Sequence, residues 1–113
     1  MVQFAKHLHH NVLVEPLLQP IEIRRRYIKQ FKPRREQSTR LHLLKLVVGQ
    51  LPELFVRAAE AYVQAVEAYD RADSDRCSQA WVAYGRAKAA YLLAAKVCKP
   101  EIEALHKIEC PDC

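Results

Sequence analysis

Apolar residues recur every three or four positions along most of this chain, and the stretches that keep that period predict its helices. From Ile21 to about Lys32, Ile23, Tyr27, Ile28 and Phe31 form an apolar side while Arg25, Lys29 and Lys32 share the other. Pro20 suits the opening of this helix and Pro33 its end, because proline fixes φ and lacks the N–H that a helix interior needs. A second helix is predicted from near Arg35, with Leu41, Leu44, Val47, Val48 and Leu51 at helical spacing up to Gly49 and Pro52. At Pro52 the pattern allows either a break or a bend.

The segment from Pro52 to Ala72 has the clearest period. Glu53, Arg57, Glu60, Gln64, Glu67 and Arg71 make one polar stripe, and Phe55, Tyr62 and Tyr69 fall seven apart among alanines. Asp73, Ser74 and Asp75 supply turn and capping chemistry. A helix from about Arg76 to Lys99 then repeats the design, with Cys77, Tyr84, Tyr91 and Cys98 also seven apart. Small residues alternating with rings let two backbones approach while the rings fill the gaps, so the pair at about 52–72 and 75–99 reads as an antiparallel helical hairpin. Tyrosines in such a seam are core, not a platform for stacking bases. Pro100 begins a last short helix carrying Ile102, Leu105 and Ile108. Residues 1–20, with Phe4, Leu8, Val12 and Val14 among His7, His9 and His10, predict an N-terminal arm or short helix.

Composition agrees with helix. Of 113 residues only Gly49 and Gly85 are glycine, and helix-favouring types dominate. The expected fold class is therefore all-α: a small helical bundle built on the hairpin, with a basic N-terminal helix pair. Residues 21–109 are expected to form one domain and 110–113 a Cys-Pro-Asp-Cys tail. No apolar run reaches the roughly 20 residues of a membrane span, and the N-terminus lacks signal-peptide order. The expected location is cytoplasmic, where the four cysteines stay reduced.

Charge changes the picture most. Residues 24–45 hold nine of the eighteen Lys and Arg side chains against one acid, Glu36. Up to Gln50 there are ten basic and three acidic residues, and beyond it eight basic and ten acidic, so the two parts carry +7 and −2. Such a patch attracts polyanions and binds phosphates by counterion release. Arg24, Arg25, Lys29, Lys32, Arg34, Arg35 and Arg40 are the candidate contacts, made mainly to backbone because no base-reading motif is present. The expectation is a non-catalytic adaptor on RNA or DNA within a ribonucleoprotein or similar assembly, as a homo-oligomer or a subunit of a complex. The competing expectation is an interaction module that binds an acidic protein or self-assembles through the hairpin. Catalysis finds no footing: Ser38, Thr39, Ser74, Ser78 and the tyrosines stand in no nucleophile–base constellation, no Gly-rich phosphate loop occurs, and Arg40 with His42 makes no recognisable cleavage pair.

No cofactor is required by this reading, but the tail allows zinc. Cys98, His106, Cys110 and Cys113 form a C-x7-H-x3-C-x2-C run whose His106 and Cys110 lie one helical turn apart, so a Cys3His site is geometrically open. A buried helical cysteine acting simply as a small apolar residue is the weightier reading. His7, His9 and His10 join a metal site only if the two ends of this sequence meet, and otherwise belong to a solvated arm.

The stretch Tyr27-Ile-Lys-Gln-Phe31-Lys-Pro33-Arg-Arg-Glu36-Gln-Ser-Thr39, with the apolar helix after it and Ala58 and Ala59 beyond, resembles the first loop and second helix of the small basic four-helix-bundle family. That family contains the accessory proteins of diversity-generating retroelements and the ribosomal intervening-sequence proteins. The resemblance covers about a third of the chain. It implies a basic bundle, a ring-like oligomer and an RNA-bearing partner. The tyrosine–alanine hairpin departs from the leucine- and arginine-rich later helices of that family.

Overall fold

The computed structural model describes residues 2–9 and 12–111. Among these there are five helices and a three-stranded antiparallel sheet, so the chain is mostly helical and not purely so. The elements are β1 (Phe4–His9), β2 (Val12–Pro16), α1 (Ile21–Phe31), α2 (Arg34–Leu43), β3 (Lys45–Leu46), α3 (Glu53–Arg71), α4 (Cys77–Val97) and α5 (Lys99–Glu109).

Three of the helices open in one way. Pro20, Pro33 and Pro52 sit just before α1, α2 and α3 with extended backbone near φ −55° and ψ +140° and offer no capping side chain. Each proline carbonyl instead accepts an early helical N–H, from Ile23, Glu36 and Val56 respectively. Proline has no N–H to leave unsatisfied, and its fixed φ sets the entry angle. At Pro52, accordingly, the chain starts a new helix.

The chain groups into two compact units. One comprises Leu51–Ile102 and is the helical hairpin. Its rings pair in antiparallel order: Phe55 with Tyr91 (centroids 5.6 Å), Tyr62 with Tyr91 (5.1 Å) and Tyr84 (5.9 Å), and Tyr69 with Trp81 (5.5 Å) and Tyr84 (6.0 Å). Phe55, Ala59, Val63, Tyr91, Ala94 and Cys98 are buried in the seam. Cys77, expected to face the same seam, is exposed. On the outside, Glu53–Arg57 and Glu67–Arg71 form ion pairs one helical turn apart along the polar stripe.

The other unit comprises Val2–Gln50 and Glu103–Cys113, and it departs from the helical expectation at two places. Where an arm or short helix was expected, β1 and β2 pair antiparallel, and β3 adds to the far side of β1 in the order β2-β1-β3. The second helix ends at Leu43 rather than running to Gly49. Leu44 turns extended and is buried at 1% exposure, and Leu46 pairs opposite Ala5. A helix through these residues would lose the pairing of β3 and the burial of Leu44, and β-branched Val47 and Val48 favour extended backbone. Ala5, Ile21, Ile28 and Leu44 form the core, with Leu8, Leu17, Leu41 and Leu46 against it.

Candidate functional site

Two places in the sheet-containing unit carry chemistry. The first is the outer side of α1 and α2. Ile21 and Ile28 anchor α1 in the core. Ile23, Tyr27 and Phe31 lie four apart on a different side of the helix and are exposed, Phe31 at 69%. The Tyr27 and Phe31 rings are 5.1 Å apart. The Arg24 guanidinium lies 4.9 Å from the Tyr27 centroid and the Lys32 ammonium 5.7 Å. The sequence pattern had assigned these rings to an apolar side without showing that it faces solvent. Exposure of this kind depends on which of two apolar arcs meets the sheet.

The seven candidate basic residues take different positions. Lys29, Arg34 and Arg35 are exposed and form no ion pair among the described residues, and the same holds for Arg26 and Lys45 beside them. Arg25 reaches Glu22 at 3.0 Å and Arg40 reaches Glu36 at 3.6 Å, both on the surface, where such pairs contribute about 0–1 kcal/mol and yield readily to a phosphate. Arg24 is half-buried and donates to the Leu8 carbonyl at 3.1 Å, tying α1 to β1, so part of its donor capacity is already used. Lys32 is half-buried over Tyr27. Gln37 donates to the Lys29 and Lys32 carbonyls, which holds the start of α2 against the end of α1 and keeps the two basic segments together.

The second place lies where β1, the loop after β3 and the C-terminal part of α5 meet. The Lys6 ammonium is 3.1 Å from Glu109 Oε1, with the side chains only 5% and 12% exposed. Glu109 also accepts the backbone N–H groups of Val48 and Gly49. Burial pushes its carboxyl up, but those two N–H groups and Lys6 together outweigh burial and hold it below the ordinary glutamate value. A Cβ at Gly49 would stand 2.5 Å from Leu105 Cδ1 and 2.7 Å from Glu109 Oε2, so any side chain here requires those two side-chain ends to move.

Next to this pair, His7 Nε2 lies 2.9 Å from His106 Nε2 and 3.7 Å from Cys110 Sγ. The three donor atoms fall within 4.8 Å of one another, the arrangement of a small metal site. His106 and Cys110 share one side of α5 because the Cys110 N–H bonds the His106 carbonyl, one helical turn back. His7 reaches them through a β-bulge: the β1–β2 register shifts between Lys6 and His9, and His7 has φ 59°. That left-handed backbone costs of order 1 kcal/mol for a residue with a Cβ, and bulges of this kind re-aim a side chain. Burial, then the charges of His106 and Lys6, hold the His7 imidazole below its ordinary value, which keeps its lone pair available near neutral pH.

Of the predicted ligand set, His106 and Cys110 are brought together. Cys98 is not among them: it is buried in the seam of the hairpin unit as a free thiol. Cys113 lies outside the described residues, as does His10. Against the expectation of reduced cysteines, Cys110 is disulfide-bonded, while Cys77 and Cys98 are free. The sequence placed His7 in a solvated arm unless the two ends of the sequence meet; its convergence with α5 joins residues 99 positions apart, a distance at which spacing carries no signal.

No family model, curated protein or solved structure matches this chain, and the resemblance noted above therefore rests on its own residues.

Proposed function

We propose that the protein is a non-catalytic adaptor that binds the backbone of single-stranded nucleic acid through α1 and α2, as part of a larger assembly. The observation that carries this reading is an exposed ring pair, Tyr27 and Phe31, set among Arg24 and Lys32 and the unpaired charges of Lys29, Arg34 and Arg35. Phosphates meet forked or mobile cations, and a base can lie on a ring whose face is already polarised by a neighbouring cation. Flat aromatic surface in a basic groove is how sequence-tolerant single-strand binders gain affinity beyond charge. The basic block agrees with the family resemblance.

Anisotropy of labelled single-stranded RNA and duplex DNA, titrated over a range of salt, tests this. Affinity for the single strand should fall linearly in log salt, with a slope of about −0.7 for each phosphate neutralised. Arg34→Glu with Arg35→Glu should flatten that slope by about 1.4. Tyr27→Ala with Phe31→Ala should cost about 1–3 kcal/mol per stacked base on the single strand and leave duplex binding unchanged. Absence of binding at low salt would reject the reading.

A second reading, self-assembly through the hairpin, has its own support. α4 has polar residues but no continuous polar side, and Trp81, Val82, Leu92, Leu93 and Val97 are exposed on it, at 57% for Trp81 and 63% for Leu93. A helix of that kind ordinarily has neighbours all round. The two readings place different surfaces in contact and are compatible.

A further inference from the structure

The cluster of His7, His106 and Cys110 is not among the residues of the proposed nucleic-acid surface, and its chemistry is that of a soft-donor metal site. We propose that, with Cys110 reduced, His7 Nε2, His106 Nε2 and Cys110 Sγ hold one divalent ion of the zinc class, and that the disulfide at Cys110 abolishes the site, so that occupancy follows redox state.

The geometry is close to what zinc requires. With Zn–N near 2.0–2.1 Å and Zn–S near 2.3 Å, tetrahedral ligands stand about 3.3 Å (N to N) and about 3.6 Å (N to S) apart. From His7 Nε2 the observed separations are 2.9 Å and 3.7 Å and all three donors lie within 4.8 Å of one another, so the imidazole pair opens by about 0.4 Å and the His106–Cys110 edge adjusts to about 3.6 Å when the ion enters. The ring planes cross at 66°, with the centroids 4.9 Å apart. His106 is 8% exposed, which limits competition from water. The nearby Lys6 charge is balanced by Glu109 at 3.1 Å and so does not oppose a dication bound by a thiolate. Three protein donors leave the fourth position to water or a further ligand. The left-handed backbone at His7 is accounted for as well, since an unbulged β1 would turn this side chain to the other face of the sheet.

In the disulfide, Cys110 Sγ has no thiolate lone pair to give as a charged ligand. Reduction takes two electrons and two protons. A low-molecular-weight thiol supplies them in two exchange steps, leaving as its own disulfide while two protein thiols are released. Metal binding then forms the Sγ–metal bond and expels the Cys110 thiol proton to solvent.

The test is titration of the full chain with cobalt(II) and zinc, once after reduction by a phosphine and once with the disulfide intact. The reduced protein should take about one equivalent, with a thiolate-to-cobalt charge-transfer band and the strong visible bands of a tetrahedral site. The disulfide form should bind at least about tenfold more weakly and lack the charge-transfer band. His7→Asn, which tolerates positive φ, His106→Gln and Cys110→Ser should each weaken binding by more than the roughly 10–100-fold that loss of an outer-shell partner costs. Circular dichroism of the metal-free variants separates lost ligands from lost fold. Less than about one-tenth of an equivalent on the reduced, folded protein overturns the proposal. So does unchanged affinity in the disulfide form, or an unchanged cobalt spectrum in folded His106→Gln and Cys110→Ser.

Discussion

At Gly49 a side chain would meet the ends of Leu105 and Glu109. The Glu109 carboxylate comes so near the Gly49 backbone that a methyl group would displace it, and it is already held by Lys6 and two N–H donors. Gly49→Ala is therefore expected to destabilise the sheet-containing unit by about 1–3 kcal/mol, read as a lower urea midpoint with unchanged slope. The same neighbourhood makes the unit acid-sensitive. His7 has a folded-state pKa below its ordinary 6.5, so the unfolded chain binds its proton more tightly; the stability from neutral His7 is complete above about 6.5 and is lost as pH falls. Glu109 is depressed below 4.5 and adds a second loss in the same direction at lower pH. Unfolding of chelator-treated protein followed from pH 8 to about pH 2.5 should show stability falling in two stages, with the upper stage absent in His7→Asn.

Elements held by one repeating pattern were legible, and those held by distant partners were not. α1, α3 and α5 follow an apolar period of 3.6 and α4 a seven-residue recurrence of Cys77, Tyr84, Tyr91 and Cys98, and all four lie where those patterns place them. Tyr91, sandwiched between Phe55 and Tyr62, was identifiable as core from its heptad spacing, and Tyr91→Ala should cost about 3 kcal/mol of hairpin stability in thermal or urea unfolding. β1 gave no such signal. Phe4, Ala5 and Lys6 are buried in succession and the bulge at His7 breaks the alternation, so the strand never shows the period of two by which strands are recognised. α2 misled in the opposite way: Leu41, Leu44 and Val47 keep helical spacing, but the last two are extended residues beside β1. Of the candidate site, the charges were legible from sequence, as was the His106–Cys110 turn of helix. The exposure of Tyr27 and Phe31 and the arrival of His7 depend on tertiary packing that local pattern does not encode.

At the scale of the whole molecule, the excess of positive charge belongs to one unit, whereas exposed apolar side chains occur on both. The basic block lies on α1 and α2, while Trp81, Val82, Leu92, Leu93 and Val97 are exposed together on α4. Leu93→Lys with Val97→Lys is expected to lower the mass measured by light scattering at high protein concentration without altering salt-dependent RNA binding, because neither residue lies in the unit that carries the charges. The pairing of Lys6 with Glu109 has a further bearing on how the protein is made. These residues are 103 positions apart, and a ribosome adding about 5–20 residues per second needs roughly 5–20 s to pass from one codon to the other. Through that interval β1 pairs with β2 and then β3, and the hairpin helices form from local contacts, while a lysine destined for the interior waits without its counter-charge. A stop codon arising within α5 would release a chain with most of its secondary structure in place and an uncompensated cation under its sheet, the kind of product that cellular proteases clear first.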